Sequence, residues 1–374
     1  MSDAAPDSPR TGPRWSTRDL IAPTAFFLGA LLLAAAVAMG PIIGPGLRKL
    51  PLSVDQTWIA DSSDDTTVLD RCSIDSPAAR VLEAHLQQRR RTVAVRPSDS
   101  DVVTLQAATA LGVDSYLVDG RAQDAERVCA EPTLAATIDR VTVNRVTASP
   151  TGRSEIQYDD KHAAVSVPDR RGRTYALPYG FDDPGDYFDV TTRQTVPLQA
   201  AGETEIDGRR VVRLRAVIPD TDLGALGTDP RGVITRPASW FGTFPGVAPS
   251  RRLTASLHHR ATRDLFVDTA TGVVVDERIE IEEEYRFAPG EAGSNPALTG
   301  FRLPNLSTVL TGDRQSRIDG ADAARHRARP VTLVTRTLPV ALGAVGVLAL
   351  IGGAVYVYRT GGRNGREDDG VRKR

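Results

Sequence analysis

The sequence predicts a mainly β extracytoplasmic domain, an antiparallel and curved sheet, flanked by two transmembrane α-helices. Three observations carry this prediction. Two long uncharged apolar runs lie near the two ends of the 374 residues. Strand periodicity rich in β-branched residues fills the region between them, and Gly, Pro and Asp clusters punctuate that region as turns.

Composition narrows the function classes. Charged residues make up 25% of the chain and the formal net charge is -1, which gives no electrostatic footprint for nucleic acid. Two cysteines exclude a disulfide-dense scaffold and a Cys-rich zinc module.

Residues 1–19 read as a cytoplasmic N-terminus and 20–44 as the first transmembrane helix. No charged side chain occurs in 20–47, and about 20 apolar residues suffice to cross about 30 Å of hydrocarbon. A second reading of this run stays open: Ala36-Val37-Ala38 resembles a signal-peptidase site. The apolar run continues past it through Ile42 and Ile43, which favours an uncleaved anchor.

Residues 45–336 form the expected extracytoplasmic β-rich domain. Strands are expected at 92–96, 101–107, 138–147, 163–167, 211–218 and 273–285, with a hairpin turn at Asp207-Gly208. An amphipathic helix is expected over 77–88, with Val81, Leu82, His85 and Leu86 inward and Pro77 in its first turn. Residues 220–249 read as a long loop. Its Trp240, Phe241 and Phe244 are expected to pack locally on the sheet, the alternative being contact with lipid or a partner. Cys72 and Cys129 either pair as a disulfide, which an oxidising compartment favours, or remain free thiols.

The second uncharged run, 337–358, is the other transmembrane helix. It carries Gly343, Gly346, Gly352 and Gly353, which permit close helix approach, and ends on Tyr356 and Tyr358 at the interface. Residues 359–374 are a basic cytoplasmic tail. More Arg and Lys lie outside the two runs than face the middle, so both termini are expected in the cytoplasm of a two-pass protein of the cytoplasmic membrane.

No catalytic, cofactor-binding or metal-binding residue is expected, and the chain reads as a non-enzyme. The five histidines lack metal-ligand spacing, and no Gly-x-Ser-x-Gly elbow occurs. Asp182, Asp183, Asp186 and Asp189 around Pro184-Gly185 read as a solvated turn. Glu280, Glu282 and Glu284 read as the wet face of one strand. Opposite them, Ile279, Ile281 and Tyr285 form the candidate apolar ligand face.

The ordered landmarks Pro45-Gly-Leu-Arg-Lys49-Leu-Pro51, Asp139-Arg-Val-Thr-Val-Asn-Arg145, Tyr175-Ala-Leu-Pro-Tyr179, Tyr187-Phe-Asp189, Val196-Pro197 and Phe266-Val-Asp-Thr-Ala-Thr-Gly272 resemble an actinobacterial two-anchor membrane family of unknown function, often labelled the porin PorA family. The resemblance runs from about residue 45 to 358. It departs at Asn144, where family members tend to have Asp, and at Leu177-Pro178-Tyr179, where they have Phe-Pro-Phe. It implies an envelope protein with cytoplasmic ends and an exported β-rich domain, and no catalytic residues. A β-barrel pore needs many lipid-facing strands of about ten residues and no apolar helices. The helices present here argue against that architecture.

The expected function is therefore non-enzymatic: binding or handing on a lipid, lipoglycan or envelope precursor at the membrane. The alternative is a scaffold that docks membrane-protein partners. A lipid-sized cavity favours the first, a flat polar sheet face the second.

Overall fold

Period-2 burial governs the long strands between the two apolar helices. The computed structural model describes Arg18 and residues 20–371, with side chains as far as Thr360. Its strands are β1 Asp55–Ser62, β2 Thr67–Leu69, β3 Val81–Val95, β4 Val102–Val118, β5 Arg121–Asp124, β6 Thr133–Asn144, β7 Pro150–Gln157 and β8 Val165–Ser166. They continue as β9 Asp186–Phe188, β10 Thr195–Pro197, β11 Gln199–Ile206, β12 Arg209–Asp222, β13 Val233–Pro237, β14 Arg252–Asp268, β15 Val274–Phe287 and β16 Leu303–Gly312.

One 14-stranded antiparallel sheet has the path β11-β12-β14-β15-β16-β1-β3-β4-β6-β7-β8, with β13 on β14, β5 on β4, and β2 between β16 and β3. A chamber of about 90 Å³ is lined both by Ala135 and Thr137 of β6 and by His259 and Arg263 of β14. Six strand spacings of about 4.8 Å separate those strands along the path, so a flat sheet would hold them about 29 Å apart. The sheet therefore curls around its inner face. Leu86, Leu111, Leu214, Ile218, Ile279 and Leu310 are buried there in the main core. Each such side chain contributes roughly 1.5–3 kcal/mol of transfer free energy.

The described residues fall into two compact units, one Lys49–Ala328 and the other within Met1–Arg48 and Arg329–Arg374. The second unit contains the helix Ile21–Arg48 and the helix Leu338–Val371, the latter preceded by a π-turn at Leu333–Thr337. The apolar helices at the two ends are long and apolar enough to cross a membrane. They meet at glycines: a Cβ on Gly29 would lie 2.9 Å from the Gly346 carbonyl oxygen, and a Cβ on Gly346 would lie as close to that of Gly29. Of the other glycines noted in the second run, Gly353 faces Ala25 and Phe26, whereas Gly343 and Gly352 have open space beside them.

The sequence reading needs correction in several places. Residues 77–88 are not helical. Arg71–Asp75 form a 3₁₀ turn and β3 begins at Val81, with Ala84, Leu86 and Gln88 buried in alternation. Pairing with β1 and β4 on both sides satisfies its backbone and overrides helix propensity. The expected loop 220–249 carries real elements: a helical turn Leu223–Leu226, strand β13, and a turn Ala238–Phe241. Trp240, Phe241 and Phe244 are buried there with Phe287. The sequence reading offers nothing for the helix Arg314–Thr332, whose Ala321 and Ala324 pack on Val211 and Val275. Asp189 leaves the solvated acidic turn: it is fully buried and pairs with Arg263.

The hairpin β11–β12 turns at Asp207-Gly208, where φ is 45° and 73°. Both values are positive, as a two-residue type I′ turn requires. Gly272, in the turn between β14 and β15, has φ 70°, and the Leu177 and Pro178 carbonyl oxygens stand where a side chain would go. Leu177 N–H donates to the Gly272 carbonyl. The motif 175–179 is thus seated on the turn 268–272.

Candidate functional site

Small residues open a cavity beside the sheet edge. In the β4–β6 register Ala108 faces Ile138, Thr109 faces Thr137 and Ala110 faces Ala136. Short side chains at adjoining register positions leave volume that Leu or Phe would fill. β7 pairs with β6 only from Ile138 onward, so 133–137 has its ladder on the β4 side alone among the described pairings. The space beyond is an open cavity of about 950 Å³, lined also by Gln157, Tyr158, Asp229 and Arg231. Arg71, Arg89, Arg91, Glu131, Asp159 and Asp160 also line it. Arg71 Nη2 donates to the Leu134 carbonyl at 2.9 Å and so occupies part of the strand edge.

The inner chamber of about 90 Å³ shares Thr109, Ala135, Ala136, Thr137, Tyr158, Asp229 and Arg231 with this cavity. Its character is different. Arg231 Nη2 lies 2.7 Å from Asp229 Oδ2 and its Nη1 lies 3.3 Å from Glu283 Oε2. Glu283 also takes His259 Nδ1 at 2.9 Å and Asn305 Nδ2 at 2.6 Å. Glu277 bridges two arginines, Arg90 at 2.6 Å and Arg263 at 3.0 Å, and Arg263 Nε lies 3.3 Å from Asp189.

These pairs keep their charges. Burial alone would raise the Glu283 carboxyl, but the Arg231 charge and the His259 and Asn305 bonds hold it down to about 2. Burial also works against Glu277 and Asp189, and neighbouring guanidinium charges hold both below the usual carboxylate range. Burial disfavours the charged forms of Arg231 and Arg263, yet their anionic and phenolic neighbours push both up. The Tyr187 phenol is pushed well up, chiefly by burial, and stays a donor at neutral pH.

Of the sequence-derived apolar ligand face, Ile281 lines the inner chamber, while Ile279 and Tyr285 are packed in the core. The Tyr285 hydroxyl donates to the Arg231 carbonyl at 2.9 Å and braces that arginine's backbone. Sequence reasoning missed Glu283, Glu277, His259, Arg90, Arg231 and Arg263. The signal for Glu283 was present: it shares the inward parity of Ile281 and Tyr285 but is hidden in the run Glu282-Glu283-Glu284. Glu280, exposed, and the half-buried Glu282 and Glu284 alternate with those inward residues on the outer row, where Arg260 pairs with Glu282 and Arg286 with Glu284.

Cys72 and Cys129 are bonded to one another, with Cα atoms 5.5 Å apart. Together with Asp70 they form the one group of metal-ligand residue types among the described residues. Bonded sulfurs are no thiolate ligands, and Asp70 is held by Arg80 and the Cys72 N–H.

Two landmark tyrosines, Tyr175 and Tyr187, line the inner chamber, and other landmark residues hold one another by side-chain bonds. Asp139 takes Arg170 at 2.6 Å and the Tyr175 hydroxyl at 2.5 Å, Arg263 lies over the Tyr187 ring, and Thr271 N–H bonds to Asp268. The chain is 24% identical to a "Porin PorA" of Corynebacterium resistens, with 89% of this chain and 95% of that protein aligned. It is 22% identical to a "Porin PorA" of Corynebacterium amycolatum, covering 87% and 95%. The family model described as "Porin PorA" matches residues 21–355, a range that holds the first apolar helix, every described strand and the start of the second apolar helix, and the chain belongs to the porin PorA family.

Proposed function

We propose that this cell-envelope protein works without catalysis, its exported β unit binding or handing on an envelope amphiphile, a lipid or lipoglycan, at the membrane. One observation carries the reading: the open cavity of about 950 Å³ is continuous in its lining with a small charged chamber. Ala108, Ala110, Ala136 and Ile138 give the outer cavity an apolar floor. Chains of an amphiphile would lie on that floor while the polar end reaches inward.

The related proteins carry the name porin. In this chain the outward row of β14 and β15 bears Arg260 with Glu282 and Arg286 with Glu284. Charged side chains at mid-bilayer depth cost about 2–4 kcal/mol each in a barrel wall. That face is suited to water.

The test is co-isolation. Full-length protein purified in non-ionic detergent should yield envelope lipid on extraction and mass spectrometry. Ala136→Trp fills the floor from an exposed position, and should lower recovery by about tenfold, equivalent to about 1.4 kcal/mol of binding. Equal recovery from a variant with unchanged melting would leave the cavity without this role.

A further inference from the structure

We propose that the inner chamber is an oxyanion subsite, receiving a phosphate-type group of the ligand. The proposal rests on the cavity being the binding site argued above, and it names the chemistry of the ligand's polar end.

The carboxylates of the cluster are already engaged: Glu277 by Arg90 and Arg263, Glu283 by His259, Arg231 and Asn305, and Asp229 by both Arg231 Nε and Nη2. Donors remain. His259 adds none: its Nε2 is buried with no partner among the described residues, and with Nδ1–H given to Glu283 it is the acceptor nitrogen of a neutral ring. Arg90 engages Glu277 through Nη1 alone, and Arg263 uses Nε and Nη1, so each guanidinium keeps unused N–H groups. The buried Tyr187 hydroxyl and the Gln88 amide lie on the same wall. A wall whose carboxylates are taken and whose arginines keep spare N–H groups fits a group that accepts them, because an unmet buried donor costs about 1–3 kcal/mol.

Size agrees with an oxyanion, and on the lining itself arginines outnumber carboxylates three to two, the two bracing carboxylates making the whole cluster three against four. The charged side chains on the wall are Arg90, Arg231 and Arg263 against Asp229 and Glu283, while Glu277 and Asp189 brace two of the arginines from outside the lining. The volume of about 90 Å³ is the share of about three waters in liquid. It holds one phosphate-sized head and not an acyl chain, whose place is the outer cavity. Guanidinium forks are the side chains best matched to such oxygens.

A phosphate could arrive free or on a lipid, and calorimetry separates the two. Full-length protein in non-ionic detergent is titrated with inorganic phosphate, with dihexanoyl phosphatidic acid, and with dihexanoylglycerol, which has the same chains and no phosphate. Saturable binding of inorganic phosphate assigns the chamber to the free ion as well. Binding of phosphatidate alone, tighter than the diacylglycerol, assigns it to a headgroup. Either supports the proposal. Tyr187→Phe removes one donor and no charge, and Arg90→Lys keeps the charge beside Glu277 but loses the fork; each should weaken phosphate-dependent binding by about tenfold. The subsite is overturned if neither phosphate probe binds, or if binding is unmoved in a Tyr187→Phe protein that melts like the wild type. Phosphatidate and diacylglycerol binding equally would also overturn it, while leaving the amphiphile reading intact.

Discussion

His259 Nδ1 lies 2.9 Å from a carboxylate oxygen of Glu283, and the two residues are direct partners across the β14–β15 ladder with both side chains buried. A one-residue slip of this ladder would turn Glu283 to solvent and bring Glu282 or Glu284 inward without its partners. The pair therefore fixes the register of the two long strands as well as one wall of the chamber.

Glu283→Gln should destabilise the protein by about 3 kcal/mol or more, because Arg231 and His259 stay buried when the charge is removed. The folded-state pKa of Glu283 is lowered from 4.5 to about 2. Its contribution is thus fully present above about pH 4.5 and is lost as pH falls toward 2. Denaturant melts across this window should show a steeper acid loss for the wild type than for Glu283→Gln. Parallel curves would refute the assignment.

The Cys72–Cys129 bond closes a loop with a sequence separation of 57. On the chain-entropy model it contributes about 4 kcal/mol. Intact masses with and without reductant should differ by two hydrogens, and the double Ser variant should melt at correspondingly lower denaturant. Free thiols in protein made in an oxidising compartment would contradict the prediction.

Gly272→Ala should cost more than about 2 kcal/mol, since it adds a collision with the Leu177 and Pro178 carbonyls to an unfavourable positive φ. Gly246→Ala is the control. Gly246 has φ 75° with nothing within 4 Å, so only the backbone term of about 1–2 kcal/mol remains. Thermal melting of the two variants reads the difference.

Orientation rests on the Arg and Lys flanks of the two apolar runs. Single cysteines at Ser8 and at Val146, which is 57% exposed, should react differently with an impermeant maleimide on intact cells. Val146→Cys is expected to label and Ser8→Cys to stay unlabelled. The reverse pattern would invert the topology.

Much of the architecture was legible because it depends on local pattern. Uncharged runs 20–47 and 337–358 announce helices by length alone, and alternation in 273–285 announces the inward row Ile279, Ile281 and Tyr285. Asp207-Gly208 announces its hairpin because few dipeptides adopt two positive φ values. The segment 77–88 misleads because its apolar residues fit a helix as well as a strand, and only pairing with β1 and β4 decides.

The site itself was decided by tertiary structure. Arg90, Arg231, Arg263, Asp189, Glu277 and Glu283 are far apart in the chain and look like ordinary surface charges in a sequence that is 25% charged. Curling of the sheet brings β3 and β6 opposite β14 and β15, and only there do these groups find partners at 2.6 to 3.3 Å. A charge can stay buried when a counter-charge is supplied by a distant strand. The sequence by itself determined the two apolar helices, several of the strands and the inward parity of 273–285; which inward positions carry compensated charge, and where small residues leave a cavity, depends on long-range register that no local pattern encodes.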